Sequence, residues 1–302
     1  MEIIGQTQFD FIGRRRIAYA VSGVLVAVGI VAAVQVSRGK AHLGVDFTGG
    51  TTVQLRFDRP PDLGPVRRAL VATGLEPEIQ TLDRGERVLI RLGKVGEGAA
   101  GTGQRVEKAL REGMPQVPFA VEGTNEVGPA IGRELLGAAQ KAILVSLLGI
   151  ILYIWWRFEF TFGVAATIAT FHDVLAVLGV VWILGWEITF LTVSALLTLA
   201  GYSLTDTVVV YDRIRENLRI RRRLGFGEVI NLSINEMLAR TAMTSLTVFL
   251  AVLALLVLGG GVLRDLAFPL LLGVIVGTYS SWYVAAPIVY EWRTRFTNAK
   301  RR

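Results

Sequence analysis

Six long apolar stretches decide what this chain can become. A bilayer core about 30 Å thick takes roughly 20 helical residues to cross. Stretches of that order fall at 17–36, 134–156, 160–184, 188–211, 241–262 and 266–290. Lys141 lies inside the second, where a long side chain near a helix end can reach back to the headgroups. The first follows Arg14-Arg15-Arg16, as a secretory leader would. Its apolar run exceeds the about 7–15 residues of such leaders and no small-residue cleavage site follows, so it reads as a retained anchor. Composition agrees: 52% of the residues are apolar and 19% charged, against about 25% charged in soluble domains. The absence of cysteine excludes disulfide frameworks, thiolate metal sites and cysteine nucleophiles. His42 and His172 are too few for the usual zinc sites. No metal, no cofactor and no catalytic residue set is expected.

The net charge of +7 is distributed as a membrane protein distributes it. Arg14, Arg15 and Arg16 stand in the N-terminal segment 1–16. Arg213, Arg215, Arg219, Arg221, Arg222, Arg223 and Arg240 stand in a segment read as a basic loop, 212–240. Arg293, Arg295, Lys300, Arg301 and Arg302 stand in a tail, 291–302. The opposite side offers Arg264 beside Glu187 and Asp265. Both termini are therefore expected in the cytoplasm, and the basic charge is not a nucleic-acid footprint. Trp155, Trp156, Trp182, Trp186 and Trp292 fall near span ends, as an aromatic belt does.

Between the first two spans lies a polar block, 37–133, on the outward side. Its alternating run 51–57 follows Gly49-Gly50 and predicts a strand. A helix is expected at 65–72, strands at 78–82 and 87–92 around the turn 83–86, a helix at 104–111 and a strand at 119–122. The order β-α-β-β-α-β is that of a ferredoxin-like α+β domain. The glycine-rich stretch 96–103 lacks the strand-to-helix setting of a phosphate cradle and reads as a loop. Glycines at 39–44 and 126–132 suggest two hinges on which the domain could turn as a rigid body.

Charges inside the spans are the candidate site. Asp173 sits near the middle of the third span beside His172, and Asp206 in the fourth among Tyr202-Ser203-Leu204-Thr205-Asp206-Thr207. Arg240 opens the fifth span, with Thr244 one turn on. A carboxylate at the bilayer centre costs about 2.5–3.5 kcal/mol on insertion scales, so it tends to face protein or water and to do chemistry. The plainer readings are that Arg240 snorkels to headgroups, that Asp173 and His172 pack against a neighbouring hydroxyl, and that Asp206 is structural. Against these, no basic residue lies within one turn of Asp206. Burial favours a protonated carboxyl and an approaching guanidinium favours the carboxylate. Asp206 can thus carry a proton that Arg240 expels, with the Thr244 hydroxyl extending the relay. Gly273, Gly277 and Ser281 form a small-residue stripe suited to close packing against another span or a partner.

Several segments together carry a resemblance. Gly44-Val45-Asp46-Phe47-Thr48-Gly49-Gly50 follows the first span, and Glu126-Val127-Gly128-Pro129 precedes the second. Phe171-His172-Asp173 lies in the third. Gly201-Tyr202-Ser203-Leu204-Thr205-Asp206-Thr207 runs into Tyr211-Asp212-Arg213-Ile214-Arg215-Glu216-Asn217. With six spans and one large loop after the first, these motifs resemble the SecF side of the SecD/SecF family, over nearly the whole chain. Gly44, Asp46, Gly49, Gly50, Asp212, Arg213, Arg215 and Glu216 carry the most specific part. The resemblance implies kinship with the resistance-nodulation-division transporters and a multi-pass place in the bacterial cytoplasmic (inner) membrane. It also implies a SecD-like partner, a SecYEG-type channel and a preprotein substrate moved with the proton-motive force, by a transport subunit rather than an enzyme. The family's relay carboxylate then matches Asp206 and its arginine Arg240, with Thr244 following, while Asp173 matches another family position. Two other readings are half of a proton-coupled exporter of that superfamily, and an assembly subunit that conducts no protons.

Overall fold

The computed structural model describes residues 7–82, 85–93 and 101–299. Among these residues, six helices or helix runs are long and apolar enough to cross a membrane. They are α1 (Arg15–Ser37), α5 (Pro129–Arg157), α6 (Phe160–Ile183), α7 (Phe190–Ile220), α8 (Phe226–Leu258) and a last run. That run is α9 (Gly260–Ser280), a π-helical turn (Ser281–Ala285) and α10 (Ala286–Ala299). Their burial divides them. The apolar windows of α6, α7 and the last run are each 56% buried, against 22%, 6% and 11% for α1, α5 and α8. Polar side chains that must be satisfied away from water therefore collect on the inner three.

The segment 212–240, expected as a basic loop, is mostly helix. α7 continues to Ile220 and α8 already begins at Phe226, which leaves 221–225 as the turn. The reason is the spacing of its charges, which satisfy one another on helical faces. Arg213 pairs with Glu216 at 2.8 Å and with Glu236 of α8 at 2.7 Å. Asn217 donates to Glu236 at 2.7 Å and to the Ser233 hydroxyl at 3.0 Å. Asp212 pairs with Arg157 at the end of α5, at 2.9 Å, and with Arg215 at 3.7 Å. The tail 291–302 is also helical as far as Ala299, with residues 300–302 outside the described residues. Residues 9–12, ahead of α1, are docked on α8 as well. Asn231 accepts the Phe11 and Ile12 amides at 3.0 Å, and Asn235 accepts that of Phe9. Phe11 is buried in the core against Trp282 and Tyr283.

Between α1 and α5 stands the α+β domain. Its elements are a short α2 (Val45–Thr48), β1 (Gly50–Phe57), α3 (Leu63–Val71), β2 (Pro77–Leu82), β3 (Arg87–Leu92), α4 (Thr102–Gly113) and β4 (Phe119–Val127). The sheet order is β2-β3-β1-β4, antiparallel throughout, as in a ferredoxin-like domain. Alternation places Val53, Leu55 and Phe57 with Val88, Ile90 and Leu92 on one face, under Val66 and Leu70 of α3 and Val106 and Leu110 of α4. Most boundaries shift by one or two residues, as in α3 (expected at 65–72) and α4 (expected at 104–111), and that of β4 by more. β4 runs past 122 to Val127, through a register shift opposite Gln54 and Leu55. The glycine-rich stretch ends in Gly101, whose amide donates to Glu126 of β4 at 3.0 Å, as does that of Gly103 at 2.5 Å. Residues 96–100 of that stretch, and 83–84 of the expected turn, lie outside the described residues.

Small residues set how closely the spans approach. A Cβ at Gly29 of α1 would stand 2.2 Å from the Leu175 carbonyl oxygen of α6. One at Gly273 or Gly277 of α9 would meet Leu199 or Ser203 of α7 at 2.7 and 3.0 Å. The stripe therefore faces this chain's own α7. Gly29→Ala is expected to lower the thermal midpoint in detergent more than Gly273→Ala. A backbone oxygen cannot rotate aside as the Leu199 side chain can, and overpacking costs about 1–3 kcal/mol. Equal midpoints in a melting assay would show that α1 and α6 can separate.

Candidate functional site

Asp173 is the most buried charge in the bundle, with 0% exposure. Its Oδ1 lies 2.8 Å from His172 Nδ1. Its Oδ2 accepts from the Ser203 hydroxyl of α7 and, at 2.7 Å, from the Ser280 hydroxyl of α9. One carboxylate thus holds α6, α7 and α9 together. Next to it Thr207 Oγ1 and Ser281 Oγ lie 3.2 Å apart, where the π-helical turn begins.

Asp206 belongs to a second cluster. Ser203 and Asp206 are one turn apart on α7, yet they face different neighbours, about 60° round the helix at 100° per residue. The Ser245 hydroxyl of α8 donates to Asp206 Oδ2 at 3.4 Å. Ser245 in turn accepts from Thr278 of α9 at 2.7 Å and from the Tyr202 hydroxyl at 3.1 Å. Three hydroxyls therefore converge behind one buried carboxylate, an arrangement in which a proton can pass along hydrogen bonds. Ser245 and Thr278 also line a groove of about 390 Å³ between α8 and α9, otherwise walled by apolar residues such as Leu246, Phe249, Ile275 and Trp282.

Of the four residues expected in the relay, the structure brings Asp206 and Arg240 near each other and sets Asp173 apart. Arg240 is exposed on α8 and its charge acts on Asp206, but no ion pair joins them among the described residues. Thr244 bonds its own helix, donating to the Arg240 or the Thr241 carbonyl at 3.1 and 2.9 Å. Its neighbour Ser245 occupies the place expected of it. Sequence reasoning missed Tyr202, Ser245, Thr278 and Ser280. Tyr202 carries a signal, lying four residues before Asp206 and so on its face. The others do not, because hydroxyls in spans commonly bond their own helix.

The end of the bundle that carries the α+β domain is tied to the α6–α7 loop. The Gly44 amide donates to Ile188 O at 2.9 Å and the Ile188 amide to His42 O at 2.8 Å, forming a parallel bridge between Leu43 and Ile188. The connection at 39–44 is therefore pinned, and that at 126–132 is a single residue, Gly128, between β4 and α5. A Cβ on Gly44 would meet Thr189 Cγ2 at 3.0 Å and Glu187 Oε1 at 3.1 Å. Asp46 accepts from the Phe190 amide at 2.9 Å and from Asn125 Nδ2 at 2.8 Å. Gly49 and Gly50 turn with φ of 73° and 136°, and a Cβ on Gly50 would stand 2.4 Å from Leu92 O. Arg91 of β3 pairs with Glu187 at 2.5 Å and with Glu78 at 3.3 Å. Burial pushes the Glu187 carboxyl above its ordinary range, which Arg91 offsets only in part.

Comparison with known proteins agrees with this architecture. Residues 106–295 match the family described as protein export membrane protein SecD/SecF, C-terminal, and residues 41–61 match the SecD/SecF GG motif. The chain is 47% identical to the protein translocase subunit SecF of Thermodesulfovibrio yellowstonii, covering 96% of each. It is 42% identical to that of Rhodothermus marinus, covering 100% of this chain and 98% of that one. Among solved structures it is similar to the translocon-associated membrane protein SecDF of Thermus thermophilus, with a TM-score of 0.82 at 39% identity. That match covers 95% of this chain and 39% of the SecDF chain. SecDF in its super-membrane-facing form superposes at a TM-score of 0.70, covering 98% of this chain and 40% of that one.

The hydroxyl chain makes a prediction independent of any activity. Ser245→Ala removes the donor to Asp206 and should shift the infrared carboxyl band assigned through Asp206→Asn. Thr244→Ala should leave that band in place. A shift in the second variant and none in the first would reverse the assignment of the two hydroxyls.

Proposed function

The chain belongs to the SecD/SecF family of protein export membrane proteins, and from this we propose that it is the SecF subunit of a Sec export machine driven by the proton-motive force. It is a multi-pass membrane protein. In the proposal it lies in the cytoplasmic membrane of a bacterium, with the basic helix ends and both termini in the cytoplasm and the ferredoxin-like domain outside. A SecD-like subunit completes it. In support, this chain accounts for 39% of the SecDF chain that contains its counterpart, so the fused protein holds a further part that a separate SecF must find in a partner. The two work beside a SecYEG-type channel and assist the late passage of a preprotein.

The observation that carries this reading is the Asp206 cluster. A buried carboxylate beside three hydroxyls, with a cation near and no ion pair between the two among the described residues, is one half of a two-position switch. With Arg240 apart, Asp206 takes up a proton. When Arg240 closes on it, the carboxylate form is favoured and the proton leaves. Arginine itself stays charged and serves as the switch rather than the carrier. Asp173, held by donors from three helices, anchors the frame within which the switch moves. The groove between α8 and α9 gives the cluster an opening toward the partner. One proton crossing 100 mV releases about 2.3 kcal/mol. That suffices to bias a domain equilibrium and falls short of the about 5–15 kcal/mol that unfolding a native domain requires. The outward domain therefore holds the emerging chain against backsliding.

Two variants test the switch, in vesicles holding the chain with its partner and in late-stage secretion. Asp206→Asn should abolish proton uptake and the proton-dependent part of secretion while the complex still assembles. Arg240→Ala should fail likewise, and Arg240→Lys should keep part of the function because the charge survives with altered geometry. Normal uptake by a well-expressed Asp206→Asn variant would leave the chain an assembly subunit.

A further inference from the structure

The segment 42–46 does more than leave the membrane. Its backbone pairs with Ile188 on both sides, through the Gly44 and Ile188 amides. Two residues further on, Asp46 reaches the first amide of α7, that of Phe190, at 2.9 Å. The start of a helix leaves amides without partners inside the helix. Thr189 and Thr192 bond each other's amides as a capping box. The Phe190 amide is left over, and a carboxylate from another domain takes it, with the helix dipole favouring the negative charge. The same carboxylate holds Asn125 of β4 with its other oxygen. Asp46 thus joins three bodies: the exit from α1, the edge strand of the sheet, and α7, which carries Asp206.

Beyond the strap and α2, whose Phe47 is buried against Ala139 of α5 and Ile188, the interface is open under the sheet. A cavity of about 360 Å³ separates the open face of the sheet, at Thr52, Gln54 and Leu89, from the membrane-side loop at Trp186 and Glu187. The apolar core of the domain lies on the other face, under α3 and α4. The domain therefore rests at one end, on the strap, on Phe47 of α2 buried with Ala139 of α5 and Ile188, and on the Arg91–Glu187 pair, and the open face of the sheet has room to tilt about that end.

We infer that the strap at 42–46, fixed by Asp46 to the first turn of α7, is the joint through which movement of α7 turns the outward domain. Asp46 is a positioning residue in this scheme. It keeps the domain in register with the helix that carries Asp206. The glycine at 44 lets the strap lie close, since a Cβ there would crowd Thr189 Cγ2 and Glu187 Oε1 at 3.0 and 3.1 Å. The inference rests on the proposed function for its source of movement, and the experiment separates the two.

The background is the cysteine-free chain with Lys108→Cys on α4 and Leu258→Cys at the outer end of α8, both exposed. With its partner it is placed in lipid vesicles and labelled with maleimide nitroxides. Acidification from neutral pH should change the distance between the labels, and Asp46→Ala should lose that change while proton uptake continues. Asp46→Asn should retain it, because the amide oxygen still accepts from the Phe190 amide. In the Asp46→Ala background, an oxidised Leu43→Cys/Ile188→Cys pair should restore the change, and reduction should remove it. A full change in Asp46→Ala, none in the background protein, or no rescue on oxidation overturns the joint. Absence of proton uptake in the background protein counts instead against the reading of Asp206.

Discussion

Everything in the membrane half of this protein depends on the hydrogen bonds around Asp173. A carboxylate with no exposure has no water to satisfy it, so each lone pair that goes unanswered costs free energy directly. The answer comes from His172 on its own helix and from serines on α7 and α9. Those two serines can reach it only if α7 and α9 stand at one height and one rotation. Lipid gives apolar helices little reason to choose each other, so polar contacts and close packing decide who neighbours whom. Leu199 and Ser203 lie against Gly273 and Gly277, and this brings the backbones near enough for Ser280 to reach Asp173. The π-helical turn at Ser281–Ala285 follows at once, where extra residues per turn are commonly placed at functional sites.

With that frame fixed, Asp206 has a different setting. It is buried as well, at 7% exposure, but its company is three hydroxyls shared among themselves, with one long contact to the carboxylate. Two aspartates of like chemistry therefore divide the labour. One is saturated with donors and holds three helices. The other is thinly held, close to a cation, and beside a groove that opens between α8 and α9.

How much of this was legible in the sequence follows from the range of each signal. Apolar runs of some twenty residues are strong and local, so the six spans could be read directly. Alternation and turn residues likewise carried the order of the α+β domain. Hydropathy misled where helices leave the membrane. Arg213, Glu216, Asn217 and Glu236 look like loop residues by polarity, yet they are spaced to pair across α7 and α8 and extend both. Asp206 and Arg240 were legible as lone charges in apolar surroundings. Ser245, Thr278 and Ser280 were not, because a hydroxyl in a span says nothing of which helix stands opposite. Thr244 was chosen for sharing a face with Arg240, and its hydroxyl turned back to its own helix. The strap to Ile188 was invisible for a related reason, since backbone pairing between residues so far apart leaves no mark in composition.

The docking of Phe9, Phe11 and Ile12 on Asn231 and Asn235 has a consequence for how the chain is made. Phe9 and its partner are separated by 226 positions. At about 5–20 residues per second, roughly 10–45 s pass between the synthesis of one and of the other. Through that interval Phe11 has neither its asparagine partner nor Trp282 and Tyr283, which emerge later still. A segment made early is thus among the last to find its place. Closure of the bundle at this end is an event of late assembly, and anything that occupies residues 9–12 in the meantime delays the whole fold.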